Sequence, residues 1–395
     1  MSAKTLTPEQ QKAYQNLLIN TKNRIILCLD GGGIRGILTL QLLKKIEEIA
    51  GIPCHQFCDL VAGTSTGAII AGLIASGKTA VEIEELYVQF VTKVFLKRGM
   101  LADRFINPPK YDKKNYRSAL KNLLGDITLE KTCSTTGIDL LITAKDVADN
   151  EETFFTCFEN NGTIIGTYKD ALLRSVMETT MSAPTYFHPL ERFIDGGTTT
   201  YNNPSLAALL EAVRYSGRGK YEINNITLFS LGTGETVQSV APDQALNPKG
   251  FDTYFWLNYV MNSSSQDASS MQVDTLRSGL VDMDFRRFQI SFDTGSFKKL
   301  PNKDITEVHI ADANLLHNLT DAELQAIEMD DTNKFALVKV IGEAMVDYIM
   351  QENKFTRDLI DISTNRDELI TAFGDIDKIK TQMSSGDWID NKAIS

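Results

Sequence analysis

The 395-residue sequence predicts an α/β fold built on a mostly parallel sheet, and three observations carry that reading. Short apolar runs end at glycine-rich turns, amphipathic segments of helical period follow them, and the two patterns alternate from residue 24 to residue 231. Arg24 to Asp30 (RIILCLD) is the first run, and Ile25 to Leu29 are all apolar, as in a strand buried on both faces. It stops at Gly31-Gly32-Gly33. From Ile37 to Ala50, Leu38, Leu42, Leu43, Ile46 and Ile49 recur at helical spacing, with Lys44, Lys45, Glu47 and Glu48 on the opposite face. Phe57 to Ala62 reads as a second strand, Thr66 to Ala75 as a second helix and Val81 to Phe95 as a third. Further on, Ile138 to Ala144 and Thr153 to Phe158 read as strands and Lys169 to Thr179 as a helix. Pro204 to Tyr215 reads as a helix with proline near its first turn, and Ile223 to Leu231 as another buried strand, ending at Gly232. Beyond about residue 245 the texture changes to Ser, Asn and Asp mixed with helical patches, the clearest being Phe335 to Met350.

Composition bounds the function. Forty Lys and Arg against 51 Asp and Glu give a net charge of −11, which disfavours a nucleic-acid polymer as partner. With 43% hydrophobic and 23% charged residues the chain is an ordinary globular one, which excludes disordered and fibrous classes. The charge is uneven: Lys93 to Lys121 holds nine basic and two acidic residues, a local +7, interleaved with Phe95, Phe105, Tyr111 and Tyr116. Five scattered cysteines, Cys28, Cys54, Cys58, Cys133 and Cys157, fit a reducing compartment better than a disulfide framework. The N-terminus has no signal-peptide pattern, so the expected location is cytoplasmic. Leu60 to Gly77 is uncharged over 18 residues, but four glycines and four hydroxyl residues fit a buried strand turning into a buried helix rather than a span in lipid.

Three motifs carry chemistry. Gly63-Thr64-Ser65-Thr66-Gly67 is a G-x-S-x-G between a predicted strand and a predicted helix, the setting of a nucleophile elbow that presents Ser65 on a strained turn. Upstream, Asp30-Gly31-Gly32-Gly33-Ile34-Arg35-Gly36 puts consecutive glycine amides between a strand and a helix N-terminus, where they can hold a phosphate or a developing oxyanion. The same letters fit the dinucleotide fingerprint G-x-G-x-x-G. Against it, the second strand ends in Gly63-Thr64-Ser65 rather than in an acidic residue for a ribose. Gly72 to Thr79 matches the phosphate-loop pattern G-x-x-x-x-G-K-[ST], yet it continues a helical run and closes it at Gly77, the wrong context for that loop. The serine needs a base. The histidines are His55, His188, His309 and His317; by chain order only His309 and His317 suit a Ser-His-Asp triad, and both lie in acidic, helix-like sequence. Asp195, in Phe193-Ile194-Asp195-Gly196-Gly197, sits at the end of an apolar run, where shielding from water can raise its pKa enough to take the serine proton directly.

Together the motifs at 30–36, 63–67 and 195–197 resemble the patatin-like phospholipases in order and approximate spacing. Met181 to Phe187 (MSAPTYF), Leu231 to Gly234 (LGTG) and Met329-Asp330-Asp331 with the helix after it also look like family segments, so the resemblance covers about residues 22 to 350. It implies the patatin-like three-layer fold, a central mostly parallel sheet flanked by helices and related to the α/β-hydrolase design. The parts would be an N-terminal helical extension at 1–21, a catalytic core at 22–240, a mainly helical C-terminal part packed on it at 241–372 and a polar tail at 373–395. It further implies a lipid acyl hydrolase with a Ser-Asp dyad, no cofactor and no metal. Carried over by position, Ser65 is the nucleophile, Asp195 the base, the amides of Gly31, Gly32 and Gly33 the oxyanion hole, Arg35 and Gly36 the support of that loop, and Gly63 and Gly67 the flanks of the elbow.

The expected partner is a membrane phospholipid or other glycerolipid, met peripherally at a lipid surface. Some bacterial members of this family are antiviral effectors activated by cyclic nucleotides, and Lys93 to Lys121 is the first place to look for such an anion or for surface docking. A solvated, partly helical insertion is the plainer reading of that stretch. A non-catalytic lipid-binding or storage protein and a dinucleotide-dependent oxidoreductase are the remaining alternatives.

Overall fold

The computed structural model describes residues 5–95, 109–160, 162–215, 220–236, 253–278, 282–308, 313–351, 355, 360–362 and 376–385. Its centre is a nine-stranded sheet. In chain order the strands are β1 (Arg24–Leu29), β2 (Leu60–Gly63), β3 (Asp139–Asp146), β4 (Glu151–Asn160), β5 (Thr163–Ile165), β6 (Phe193–Asp195), β7 (Ile226–Leu231), β8 (Asp284–Ile290) and β9 (Ile360–Ile362). They lie in the order β5-β4-β3-β2-β1-β7-β8-β9, with β6 added to β3. From β3 to β9 across the middle every pairing is parallel; β4, β5 and β6 are antiparallel additions at one side.

The main helices are α1 (Pro8–Asn16), α2 (Gly36–Ala50), α3 (Cys54–Phe57), α4 (Thr66–Ala75), α5 (Ala80–Val94), α6 (Lys113–Leu124), α7 (Leu129–Thr136), α8 (Leu173–Thr180), α9 (Ser205–Tyr215), α10 (Thr253–Arg277) and α11 (Phe335–Gln351), with further ones at Thr294–Phe297, Asp321–Gln325 and Ile376–Ser385. Strand alternation sorts the core into two layers. Ile25, Leu27 and Leu29 face α2, α4 and α11, whereas Ile26 and Cys28 face α9. Burying each of these leucines and isoleucines contributes about 1.5–3 kcal/mol. Local signals agree with the layout: Thr79 and Glu82 form a capping box at the start of α5, and α2 ends at Gly51 with φ +77°. The 18 uncharged residues from Leu60 are β2, its turn and α4. Among the described residues no helix is long and apolar enough to cross a membrane.

The structure revises some of these expectations and bears out others. The second strand starts at Leu60 rather than Phe57, because Pro53 opens the one-turn helix α3 and the Asp59 carboxylate is drawn to the Ile25 amide (2.8 Å) and Arg24 (2.8 Å). As expected, the phosphate-loop pattern at Gly72 lies inside and just beyond α4, where the Lys78 amide closes the helix end onto Leu73 O at 3.0 Å. The part from 241 to 372 also carries strands that the sequence reading did not separate out: β8 and β9 extend the central sheet in parallel beside its helices. The sequence of β8, DFRRFQI, has four polar residues in seven and does not read as a buried strand, yet all seven are buried. Its charges are paired. Arg286 bonds Asp284 (2.7 Å) and the carbonyls of Leu17 (2.7 Å) and Leu18 (3.0 Å), which ties the N-terminal extension to the sheet.

The basic stretch is described only in part. Residues 96–108 lie outside the described residues, Phe105 among them. In what is described, Tyr111 and Tyr116 are buried in the core and Phe95 packs against it. Lys110 pairs with Asp330, and Lys113 (3.2 Å) and Arg117 (2.7 Å) pair with Glu178. Lys113 and the aromatic side chains are therefore internal, whereas Lys110 and Arg117 are paired at the surface and Lys93, Lys114 and Lys121 are exposed.

Candidate active site

Ser65 stands between β2 and α4 with φ +53° and ψ −122°, a backbone conformation that non-glycine residues rarely adopt. The turn is tight enough that a Cβ on Gly67 would sit 2.3 Å from the Leu29 carbonyl oxygen, and one on Gly63 2.5 Å from that of Gly67. Glycine at both positions lets α4 start directly over the end of β1, with the positive end of its dipole at the serine. Ser65 is half-buried, and its Oγ donates to Asp195 Oδ2 at 2.7 Å.

Asp195 ends β6, whose pairing with β3 sets it opposite Ala144. Its other oxygen, Oδ1, accepts from the Gly197 amide at 2.7 Å. The residue is 5% exposed. Burial pushes its carboxyl up from the ordinary 3.8 to about 6, against the lowering effect of the Gly197 and Ser65 hydrogen bonds. A carboxylate so tuned is ionised at neutral pH and basic enough to accept a proton as the serine attacks.

One short stretch holds both members. Thr180 Oγ1 accepts from the Ser65 amide (2.9 Å), and Ser182 O accepts from the Asp195 amide (3.1 Å). Lys113 Nζ donates to Ser182 Oγ (2.8 Å) and pairs with Glu178, so α6 fastens this stretch from outside. Lys113, Thr180 and Ser182 were not singled out from the sequence; a lysine with its stem on the apolar face of an amphipathic helix is the one signal that marked the first.

The glycine loop lies against Ser65: a Cβ on Gly31 would come within 3.3 Å of the serine's Cβ. Of the three amides expected in the oxyanion hole, that of Gly31 already donates to Asn202 O at 3.2 Å. The amides of Gly32 and Gly33 have no partner among the described residues and are the donors left for an oxyanion. Gly33 takes φ +58°, and a side chain there would run into the Met329 carbonyl, whose oxygen accepts from the Ile34 amide at 2.7 Å. Tyr87 OH donates to Gly33 O and also closes over Gly36.

The support expected from Arg35 is different in kind. Its guanidinium lies 5.6 Å over the Phe292 ring, and its Nε has no hydrogen-bond partner, so the side chain does not fasten the loop. Burial lowers its pKa to about 10, with Glu235 opposing. The fastening falls to Arg287 of β8, which holds Asp30 through two hydrogen bonds of 2.9 and 2.6 Å. Sequence reading missed Arg287; two adjacent arginines in an apolar frame were the available signal.

No described histidine bonds to Ser65 or Asp195. His317 Nε2 pairs with Leu300 O at 2.8 Å, and His309 lies outside the described residues. Among the described residues no cluster of three His, Cys, Asp or Glu side chains is arranged to hold a metal ion. A cleft of about 500 Å³ runs along α9, lined by Phe154, Tyr201, Leu206, Leu210, Val213 and Ile223, and does not include the dyad.

Residues 27–209 match the family model Patatin-like phospholipase. The chain is 28% identical over 222 residues to patatin-like protein 2 of Oryza sativa subsp. indica, covering 48% of this chain and 53% of that protein. It is 31% identical over 232 residues to the mouse (Mus musculus) 85/88 kDa calcium-independent phospholipase A2, covering 54% and 27%. It is 28% identical over 246 residues to the cGAMP-activated phospholipase of Escherichia coli strain TW11681, covering 59% and 67%. The chain thus spans about half the length of the rice relative and about a quarter of the mouse one. With the mixed, mostly parallel sheet flanked by helices, the match identifies residues 27–209 as a patatin-like phospholipase domain.

Proposed function

We propose that this protein is a serine-dependent lipid acyl hydrolase of the phospholipase A type, which cleaves ester-linked fatty acids from membrane glycerolipids through an acyl-enzyme. The observation that carries the reading is the 2.7 Å hydrogen bond from Ser65 Oγ, on its strained turn, to the buried Asp195 carboxylate. The relatives named as phospholipases support the substrate class.

In the mechanism, Asp195 Oδ2 accepts the Ser65 proton as Oγ attacks the ester carbonyl. The Gly32 and Gly33 amides hold the tetrahedral oxyanion. Collapse breaks the ester bond, and the lysolipid leaves with the proton from Asp195. A water then gives a proton to Asp195 and attacks the acyl carbon; the fatty acid departs and Ser65 regains its proton. The site would be reached from a lipid surface, with the protein acting peripherally in a reducing, cytoplasmic setting.

Fatty-acid release from phosphatidylglycerol–phosphatidylethanolamine vesicles tests this, with the wild type, Ser65→Ala and Asp195→Asn compared. Each substitution is expected to cost about 10⁴-fold or more, the scale at which removing one member of a nucleophile–base unit acts in serine hydrolases. Wild-type turnover in Asp195→Asn would refute the dyad. The relative's name makes cGAMP the activator to include as an arm of the same assay.

A further inference from the structure

We propose that Arg287, on β8 and beyond the 27–209 segment that matches the family model, is a positioning residue for the oxyanion loop, acting by fixing and neutralising Asp30. The inference rests on the acyl-hydrolase reading and deepens it.

Asp30 is the residue from which the glycine amides spring. It and Arg287 are each 3% exposed, and they meet through the two-pronged pairing that guanidinium and carboxylate geometry favours. Arg287 Nη1 also donates to Ser230 Oγ at 2.8 Å. That hydroxyl belongs to a chain of buried polar groups: Ser205 Oγ reaches Ser230 Oγ (2.7 Å) and Asn203 Oδ1 (2.5 Å). Asn203 adjoins Asn202, whose carbonyl holds the Gly31 amide. The main chain of Asp30 is anchored too, its amide to Leu231 O at 3.0 Å, and Thr233 Oγ1 donates to Gly31 O at 2.8 Å. The first two residues of the loop, Asp30 and Gly31, are therefore clamped from the β7 and β8 side, which fixes the point from which the Gly32 and Gly33 amides project.

Charge gives the pair a second consequence. Ionised Asp30 without a partner would be a buried negative charge two and three residues from the Gly32 and Gly33 amides that must stabilise another, and at low effective dielectric such repulsion opposes the transition state. Arg287 cancels it. A buried ion pair is weak evidence for stability, since apolar residues of similar volume often serve as well; its value here is directional.

The test compares kcat and KM for 4-nitrophenyl butyrate hydrolysis by the full chain as wild type, Ser65→Ala, Arg287→Lys, Arg287→Gln and the double variant Asp30→Asn/Arg287→Gln. Folding is checked by circular dichroism. Arg287→Gln is expected to lower kcat about 100-fold with KM within about threefold, the scale of a misplaced oxyanion donor. Arg287→Lys keeps the charge and should stay within about tenfold of wild type. The double variant removes the stranded charge and should recover at least about tenfold over Arg287→Gln. Wild-type kcat in a folded Arg287→Gln overturns the inference, and so does an equal loss in all three variants, which marks a merely structural pair. If Arg287→Gln does not fold, the double variant decides: kcat within about tenfold of wild type supports the role, and a loss beyond about 100-fold overturns it. A wild type no faster than Ser65→Ala removes the acyl-hydrolase reading and this inference with it. An active wild type matched by Arg287→Gln removes this inference alone.

Discussion

Replacing Asp195 with asparagine should make the protein more stable while abolishing its chemistry. The folded carboxyl has its pKa raised from 3.8 to about 6 because it is buried. Between those two values the folded state holds more protons than the unfolded state, so the group's contribution is favourable at low pH and is lost as pH rises through about 6. At 1.36 kcal/mol per unit, the loss is about 3 kcal/mol once pH exceeds 7. Asparagine is the same size and has no charge to bury. Its Oδ1 can accept from the Gly197 amide as Asp195 Oδ1 does at 2.7 Å, and its Nδ2 can donate to Ser65 Oγ. Urea unfolding at pH 7.5 should therefore place Asp195→Asn about 3 kcal/mol above wild type, with the difference shrinking to about half near pH 5 and vanishing toward pH 3. A variant no more stable than wild type at pH 7.5, or a difference that does not change with pH, would refute the buried-base reasoning.

The remaining predictions draw on the same geometry. The pH profile of kcat/KM should fall with unit slope below about 6, the value set by burial of Asp195, and a plateau extending to pH 4.5 would show that another group is the base. Gly67→Ala should cost about 3 kcal/mol in urea unfolding, because its Cβ would meet the Leu29 and Asp30 carbonyl oxygens at 2.3 and 2.6 Å and backbone cannot give way cheaply. Thr180→Val keeps the side-chain shape but leaves the Ser65 amide without its 2.9 Å acceptor; kcat should fall about tenfold or more, read against an unchanged circular dichroism spectrum.

The chain's local regularities made much of this legible. Ile25 to Leu29 and Ile226 to Leu231 are apolar because parallel strands at the centre of the sheet are covered on both faces, so composition alone marks them. Ser65 and Asp195 were readable because each sits where a strand meets glycines, a pattern that a turn requires whatever surrounds it. What escaped depends on partners distant in sequence. β8 looks polar until Asp30, 257 positions away, is seen to take Arg287, and the Leu17 and Leu18 carbonyls to take Arg286. Lys113 looks like part of a docking surface until Glu178 and Ser182 are found beside it. Arg35 is adjacent to the glycine loop in sequence and was expected to hold it, yet its side chain turns to Phe292. Charge reads as surface in a sequence, and only the fold shows which charges are spent on each other.

The most direct measurement is the rate and site of covalent labelling by a fluorophosphonate, followed by mass spectrometry of the digested protein. An activated Ser65 predicts a single adduct, on the peptide carrying Ser65, formed at least about 100-fold more slowly in Asp195→Asn. An adduct on another residue, or labelling of Asp195→Asn at the wild-type rate, would contradict the Ser65–Asp195 dyad.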